Sequence, residues 1–218
     1  MLITLRNPTF RHLVAAQLMA LVGTGLATVA LGLLAWQLAG DNAGAVLGTA
    51  LAIKMVAYVT LAPVAAAIAE RLPRRAFMVA LDLIRAGVIA CLPFVTEVWQ
   101  VYVLIFFLQA ASAGFTPAFQ AVIPDVLKDE DDYTNALSLL RLAEDLEQLA
   151  SPMIAALLLT VVSFPVLFAG TVVGFVASAL LVVTARLPDR AQGRKLAGEL
   201  DRVLTLFPVL KEMLQRKG

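Results

Sequence analysis

The chain alternates between long apolar runs and short polar interruptions. Apolar residues dominate Leu13 to Ala39, Val46 to Ala69, Ala76 to Val95, Trp99 to Val122, Ala136 to Val162 and Val166 to Ala185. Each run is continuous, and each reaches the roughly 20 residues at about 1.5 Å apiece that a helix needs to cross a hydrocarbon core of about 30 Å. Only helices and closed barrels satisfy their backbone in lipid, and barrel strands would alternate every second residue. The pattern therefore predicts an all-α integral membrane fold with six spans. The first run is longer than the roughly 7–15 residues of a signal-peptide core and five more follow it, so it reads as a retained helix.

From Arg186 onward the pattern changes. Leu196, Leu200, Val203, Leu204, Phe207, Leu210 and Leu214 recur at helical spacing among charged residues, with Pro208 interrupting them. This predicts an amphipathic segment on the membrane face or, as the alternative, an ordinary linker. The domain organisation expected is a six-helix bundle over residues 1–188 and a cytoplasmic amphipathic linker or tail over residues 189–218. Within the spans, small residues recur every fourth position at Gly170, Gly174 and Ser178 and at Ala110, Gly114 and Ala118. Such stripes let helices approach closely and are read as packing faces.

Composition sharpens the membrane assignment. Of 218 residues, 61% are hydrophobic and 15% charged, with a mean hydropathy of +0.87, against roughly 45–50% apolar and 25% charged in soluble domains. A net charge of +1 gives no basic excess for a nucleic-acid partner. Cys91 is alone, so it forms no internal disulfide, and it reads as a small buried hydrophobe. With His12 the single histidine, no metal site is expected, and no cofactor either. The chain contains no G-x-S-x-G, no H-E-x-x-H and no glycine-rich phosphate loop before a lysine, so it is not read as an enzyme. The acidic run Asp129 to Asp132 is read as a solvated loop of like charges.

The positions of the few cations set the orientation. The turns around Asp41, around Glu97 and at Ser163 to Pro165 hold no lysine or arginine, whereas Arg6, Arg11, Arg71, Arg74, Arg75, Lys128 and eight tail cations collect on the opposite side. By the positive-inside rule, both termini are expected in the cytoplasm, with the chain in a bacterial-type plasma membrane. Trp36 and Trp99 fall at the outer edge as interface anchors.

Three cations remain inside spans: Lys54, Arg85 and Arg141. Charges at that depth cost at least about 2.5–3.5 kcal/mol on insertion scales, so they are expected to face partners or a cavity. In the fifth span Arg141 reaches Glu144 and Asp145 at spacings of three and four, with Glu147 and Gln148 following before Ser151-Pro152. Glu147 lies about 16 Å along the helix from Ala136, near the bilayer middle, where a carboxylate is a candidate for proton coupling. The competing reading starts the fifth helix near Leu146 and leaves the charges in the interface. Lys54 could hold an anionic substrate group, pair with a carboxylate such as Glu147, or snorkel outward. Gln17, Thr24, Thr28, Gln37, Gln109, Ser112 and Thr116 are the other polar candidates in the first and fourth spans.

Between the second and third spans stands Ala66-Ala67-Ile68-Ala69-Glu70-Arg71-Leu72-Pro73-Arg74-Arg75, followed by Asp82-Leu83-Ile84-Arg85. It resembles the major facilitator superfamily signature G-x-L-A-D-R-x-G-R-R, with Ala66, Glu70 and Pro73 replacing the first glycine, the aspartate and the second glycine. The proline and the D-x-x-R look like the exporter-like branch that includes enterobactin and drug exporters. Phe115-Thr116-Pro117-Ala118-Phe119-Gln120-Ala121-Val122-Ile123-Pro124-Asp125 is similar to the F-x-P-A-x-x-A-x-x-P-D stretch of that branch, and Thr134-Asn135-Ala136-Leu137 to its A-N-A-L.

The resemblance implies two three-helix inverted repeats, half of a twelve-helix fold, exporting a small-molecule substrate across the lipid bilayer by alternating access with proton coupling. It implies a conformational latch of Glu70, Arg71, Arg74, Arg75, Asp82 and Arg85, in which Glu70 and Asp82 accept from guanidinium groups, and coupling or substrate contacts from Lys54, Arg141, Glu144, Asp145 and Glu147. It also implies a partner, either a second six-helix half or another copy; a fragment, a truncated frame and a genuine half-transporter are the alternatives, and a non-transporting scaffold is the other functional class.

Overall fold

The computed structural model describes residues 7–185, without the side chains of residues 62–64 and 66–71. The chain divides into Met1–Leu187 and Pro188–Gly218, so the expected amphipathic tail at residues 189–218 lies outside the described residues. Every regular element among them is helical: α1 (Pro8–Ala39), α2 (Ala43–Arg71), α3 (Arg74–Cys91), α4 (Val98–Gln120), the one-turn α5 (Ile123–Val126), α6 (Glu130–Leu159) and α7 (Phe164–Thr184).

Helix ends follow local chemistry. The Asn7 side chain accepts from the amides of Thr9 and Phe10, and Pro8 supplies the first-turn φ without an amide to satisfy. Gly40, at φ 51°, ends α1 by donating its amide to the Trp36 carbonyl; a residue with a side chain would be strained there. Gln100 at the third position of α4 caps back onto the amides of Thr96 and Glu97. The acidic run read as a loop is instead the start of α6. Asp129 accepts from the amides of Asp131 and Asp132, and Glu130, Asp131 and Asp132 fill the first turn, where the helix dipole favours negative charge.

Among the described residues, four apolar stretches are long enough to cross a bilayer: Pro8–Leu61, Arg74–Phe94, Val98–Val126 and Phe164–Thr184. The first contains both α1 and most of α2, joined by the 3-10 turn Gly40–Asn42. α6 is not among them, because Arg141, Glu144, Asp145 and Glu147 interrupt its apolar sequence.

α1 packs on α7, α2 on α4, α3 on both α4 and α7, and α6 on α1. The α1–α7 crossing brings backbone against backbone. A Cβ placed on Gly174 would meet the Met19 carbonyl at 2.8 Å and Gly23 Cα at 3.1 Å, so only glycine lets the backbones approach this closely. The Thr171 hydroxyl fastens the crossing by hydrogen bonding to the Gly23 carbonyl at 2.9 Å and its own Leu167 carbonyl at 3.0 Å. Thus the Gly170-Gly174-Ser178 stripe packs, as expected of small-residue faces, and Gly114 of the other stripe sits against Ala65, Leu81 and Phe77. Cys91 departs from its expected burial: it is exposed at the end of α3.

Gly174→Val forces a branched side chain into backbone atoms that cannot rotate away. It should lower the unfolding free energy by about 1–3 kcal/mol, as overpacking does; reversible denaturation in detergent micelles measures this, and an unchanged midpoint would contradict the crossing geometry.

Candidate functional site

The least expected charges in an apolar bundle are those of α3. Asp82 is 0% exposed and Arg85 5%. One turn apart on the helix, they form an ion pair through Arg85 Nη2 and Asp82 Oδ1. The second carboxylate oxygen accepts from the Ser178 hydroxyl of α7 at 2.8 Å. Phe115 of α4 and Phe175 of α7 lie on the guanidinium with ring centroids 4.2 and 4.5 Å away. The node therefore joins three helices. Its cost in desolvation is offset only while each charge keeps its partner, and the aromatic faces add roughly 0.5–2 kcal/mol each at such sites. Arg85 Nε is the one buried side-chain polar atom left without a hydrogen-bond partner among the described residues.

The arginines at the start of α3 act elsewhere. Arg74 pairs with Asp125 of α5 and donates to the Ala121 carbonyl at the end of α4. Arg75 donates to the Ala185 carbonyl just beyond α7. Carbonyls at helix C-terminal ends lack intrahelical partners and carry partial negative charge, which makes them natural acceptors for guanidinium groups. The expected latch is thus divided. Among the described residues Asp82 is bonded by Arg85 and Ser178 and not by Arg74 or Arg75, while the side chains of Glu70 and Arg71 lie outside the described residues.

A third group lies on α6. Arg141 reaches Glu144 at 3.1 Å and Asp145 at 3.7 Å, the spacings the sequence suggests. With Arg141 72% exposed, these pairs contribute little to stability. Arg141 and Glu144 instead border a cleft of about 280 Å³ between α1, α4 and α6, together with Gln17, Thr116, Phe119, Gln120, Leu137 and Leu140. Tyr58 of α2 lies near Thr116 of α4. Tyr58 was not singled out from sequence; its signal is a phenol in mid-span, away from the interface where tyrosines usually anchor.

Glu147 stands apart, accepting from the Ser151 hydroxyl at 2.8 Å. Lys54 is half-buried and makes no ion pair among the described residues, so the Lys54–Glu147 pairing considered above is not formed. Of the remaining polar candidates, Thr24, Thr28, Ser112 and Thr116 donate to carbonyls four residues back, as helix-embedded hydroxyls do. No group of three or more His, Cys, Asp or Glu side chains among the described residues is arranged to hold a metal.

Comparison with known proteins bears on what this arrangement serves. A model of the Major Facilitator Superfamily matches residues 13–217. Macrolide efflux protein A of Enterococcus faecalis is 29% identical over 159 residues, covering 67% of this chain and 49% of that protein. Macrolide efflux protein A of Streptococcus pyogenes is 30% identical over 155 residues, covering 67% of this chain and 38% of that protein. The chain spans about half the length of these relatives or less. No solved structure gives a significant match.

Arg85→Ala should cost about 3–5 kcal/mol of stability, because Asp82 stays buried without its charge partner. Replacing both residues by apolar ones of similar volume should recover most of the loss, and Arg141→Ala should change stability by less than about 1 kcal/mol. Denaturant titration of the three variants checks this; equal losses for Arg85→Ala and Arg141→Ala would remove the buried node from its structural role.

Proposed function

From the premise that the chain belongs to the Major Facilitator Superfamily, and is therefore a multi-pass membrane protein of a transporter family and not an enzyme, we propose that residues 1–188 form the amino-terminal six-helix half of a secondary transporter. In this reading α1, α2 and α3 make one three-helix repeat, and α4, α6 and α7 an inverted second one. Residues 189–218 serve as the cytoplasmic linker, and both termini face the cytoplasm. A second six-helix half, or another copy, completes the cavity. Alternating access moves a small solute outward, driven by protons.

The observation that carries this reading is the family match over residues 13–217. The matched relatives are named as macrolide efflux proteins, which makes export the direction and macrolides the first solutes to test. The cleft bordered by Gln17, Thr116, Arg141 and Glu144 supports a solute contact there: it combines apolar walls with a few convergent polar groups. The three-residue path from Glu144 to Glu147 puts a second carboxylate one turn deeper on the same helix, suited to carry the coupling proton. Arg74 and Arg75, tying the start of α3 to the ends of α4, α5 and α7, supply the latch.

Reconstitution with a completing half and measurement of proton-driven macrolide efflux tests the proposal. Flux that requires both halves supports it; inactivity with every completing half leaves a scaffold. Glu147→Gln should reduce coupled efflux to the uncoupled background while membrane insertion stays intact, and unchanged coupled flux would make Glu147 structural. Arg71→Ala combined with Arg74→Ala should slow turnover more than it lowers expression, whereas equal losses of both would reduce these arginines to topology signals.

A further inference from the structure

Where α6 meets α1, the two helices approach through a notch. Gly25 of α1 has no side chain, and a Cβ built there would fall 1.8 Å from Ser151 Oγ, 2.3 Å from Ser151 Cβ and 2.6 Å from Glu147 Oε1. The space that Gly25 leaves is therefore filled by the Ser151 side chain and one oxygen of Glu147. Ser151 is 7% exposed, and its hydroxyl donates to that oxygen at 2.8 Å. Beside the notch, α1 and α6 line a groove of about 300 Å³ that is apolar apart from Glu147 and Ser151.

We propose that Ser151, seated in the notch of Gly25, is a positioning residue that holds the Glu147 carboxyl group at the α1–α6 seam through both of its protonation states. This rests on the reading of Glu147 as the proton-carrying carboxylate. A hydroxyl both donates and accepts, so it serves an ionised carboxylate as donor and a protonated acid as acceptor. A glycine in its place offers neither. No other side chain holds Glu147 among the described hydrogen bonds and ion pairs.

The surrounding charges do not take over this task. On α6 itself Arg141 is engaged by Glu144 and Asp145. The only ionisable residues of α1, Arg11 and His12, sit in its first turns, roughly 20 Å along the axis from Gly25. α7 carries no ionisable residue. Pro152 follows directly and lacks an amide, so the helix loses one backbone bond at this point and the Ser151–Glu147 bond bridges the weakened turn.

The experiment is pH-difference infrared spectroscopy of the purified chain in lipid vesicles, with the protonated carboxyl band assigned to Glu147 by its disappearance in Glu147→Gln. In Ser151→Ala the band should move to higher frequency, as the C=O stretch of a protonated carboxyl group does when that group loses a hydrogen bond. The band unmoved in Ser151→Ala overturns the positioning role, and no Glu147 band at any pH overturns the proton-carrying reading beneath it. The notch is tested separately. Gly25→Ala should sharply lower the yield of folded chain, and Gly25→Ala with Ser151→Gly should restore it. Equal yields from Gly25→Ala alone and from Gly25→Ala combined with Ser151→Gly overturn the notch. A Ser151-dependent band in a chain that drives no flux with any completing half supports the positioning and refutes only transport.

Discussion

A carboxylate and a guanidinium enclosed in an apolar helix bundle have to find each other, and this requirement organises the interior. Asp82 and Arg85 are both within one turn of α3, so their pairing sets which face of that helix turns inward. That face must then meet residues able to complete the hydration the charges have lost. Ser178 of α7 takes the free carboxylate oxygen, and the rings of Phe115 and Phe175 cover the guanidinium. α3, α4 and α7 are thus oriented about a common polar point, and Met78, Leu81 and Phe119 of α3 and α4 share one apolar core. Burial alone would leave such a bundle free to slide, because lipid tails are as apolar as leucine and reward no particular register.

The same shortage of hydrophobic guidance explains the reliance on close backbone approach. At Gly23 and Gly174 two helices touch through their main chains, and at Gly25 a serine occupies the missing side chain. These contacts gain dispersion energy that depends steeply on distance, so they define position where apolar burial does not. Thr171 adds direction by hydrogen bonding across the crossing to the Gly23 carbonyl. The outward faces are left apolar, as at Leu51, Met55 and Val59 on α2 and Leu149, Met153 and Leu157 on α6. On a chain of this family, such faces suit lipid.

Features governed by neighbours in the chain were legible in the sequence. The apolar runs locate the helices, Arg141 pairs at the spacings that helical geometry dictates, and the Gly174 stripe packs closely. The two resembled motifs point to the family that matches residues 13–217. What escaped depends on long-range contact or on backbone atoms. Asp82 reads as an acceptor for guanidinium groups of the loop, but it also accepts from Ser178, 96 residues away, which no local spacing reveals. Arg75 finds the Ala185 carbonyl, an acceptor every residue possesses and no pattern reveals. Asp129 reads as one of four repelling charges until a helix starts there and makes it a cap. Cys91 lies in an apolar run, and a run does not say which side of a helix meets neighbours.

The helices differ in how they are tied, and the difference follows the placement of charge. Asp82 of α3 bonds to α7, Thr171 of α7 to α1, and the arginines at the start of α3 reach the ends of α4, α5 and α7. Among the described residues, every hydrogen bond from an α6 side chain stays within α6 or its cap. Yet α6 carries Arg141, Glu144, Asp145 and Glu147 and has a proline at position 152. Elements that move in function come from the less stable end of a structure, because a helix anchored by buried polar bonds must break them to shift. Charges on a helix held mainly by shape can change partners at small cost, whereas the enclosed pair on α3 cannot. The chain therefore separates its charges by helix: α3 encloses an ion pair that fixes the bundle, and α6 keeps Arg141 and Asp145 exposed and paired along its own surface.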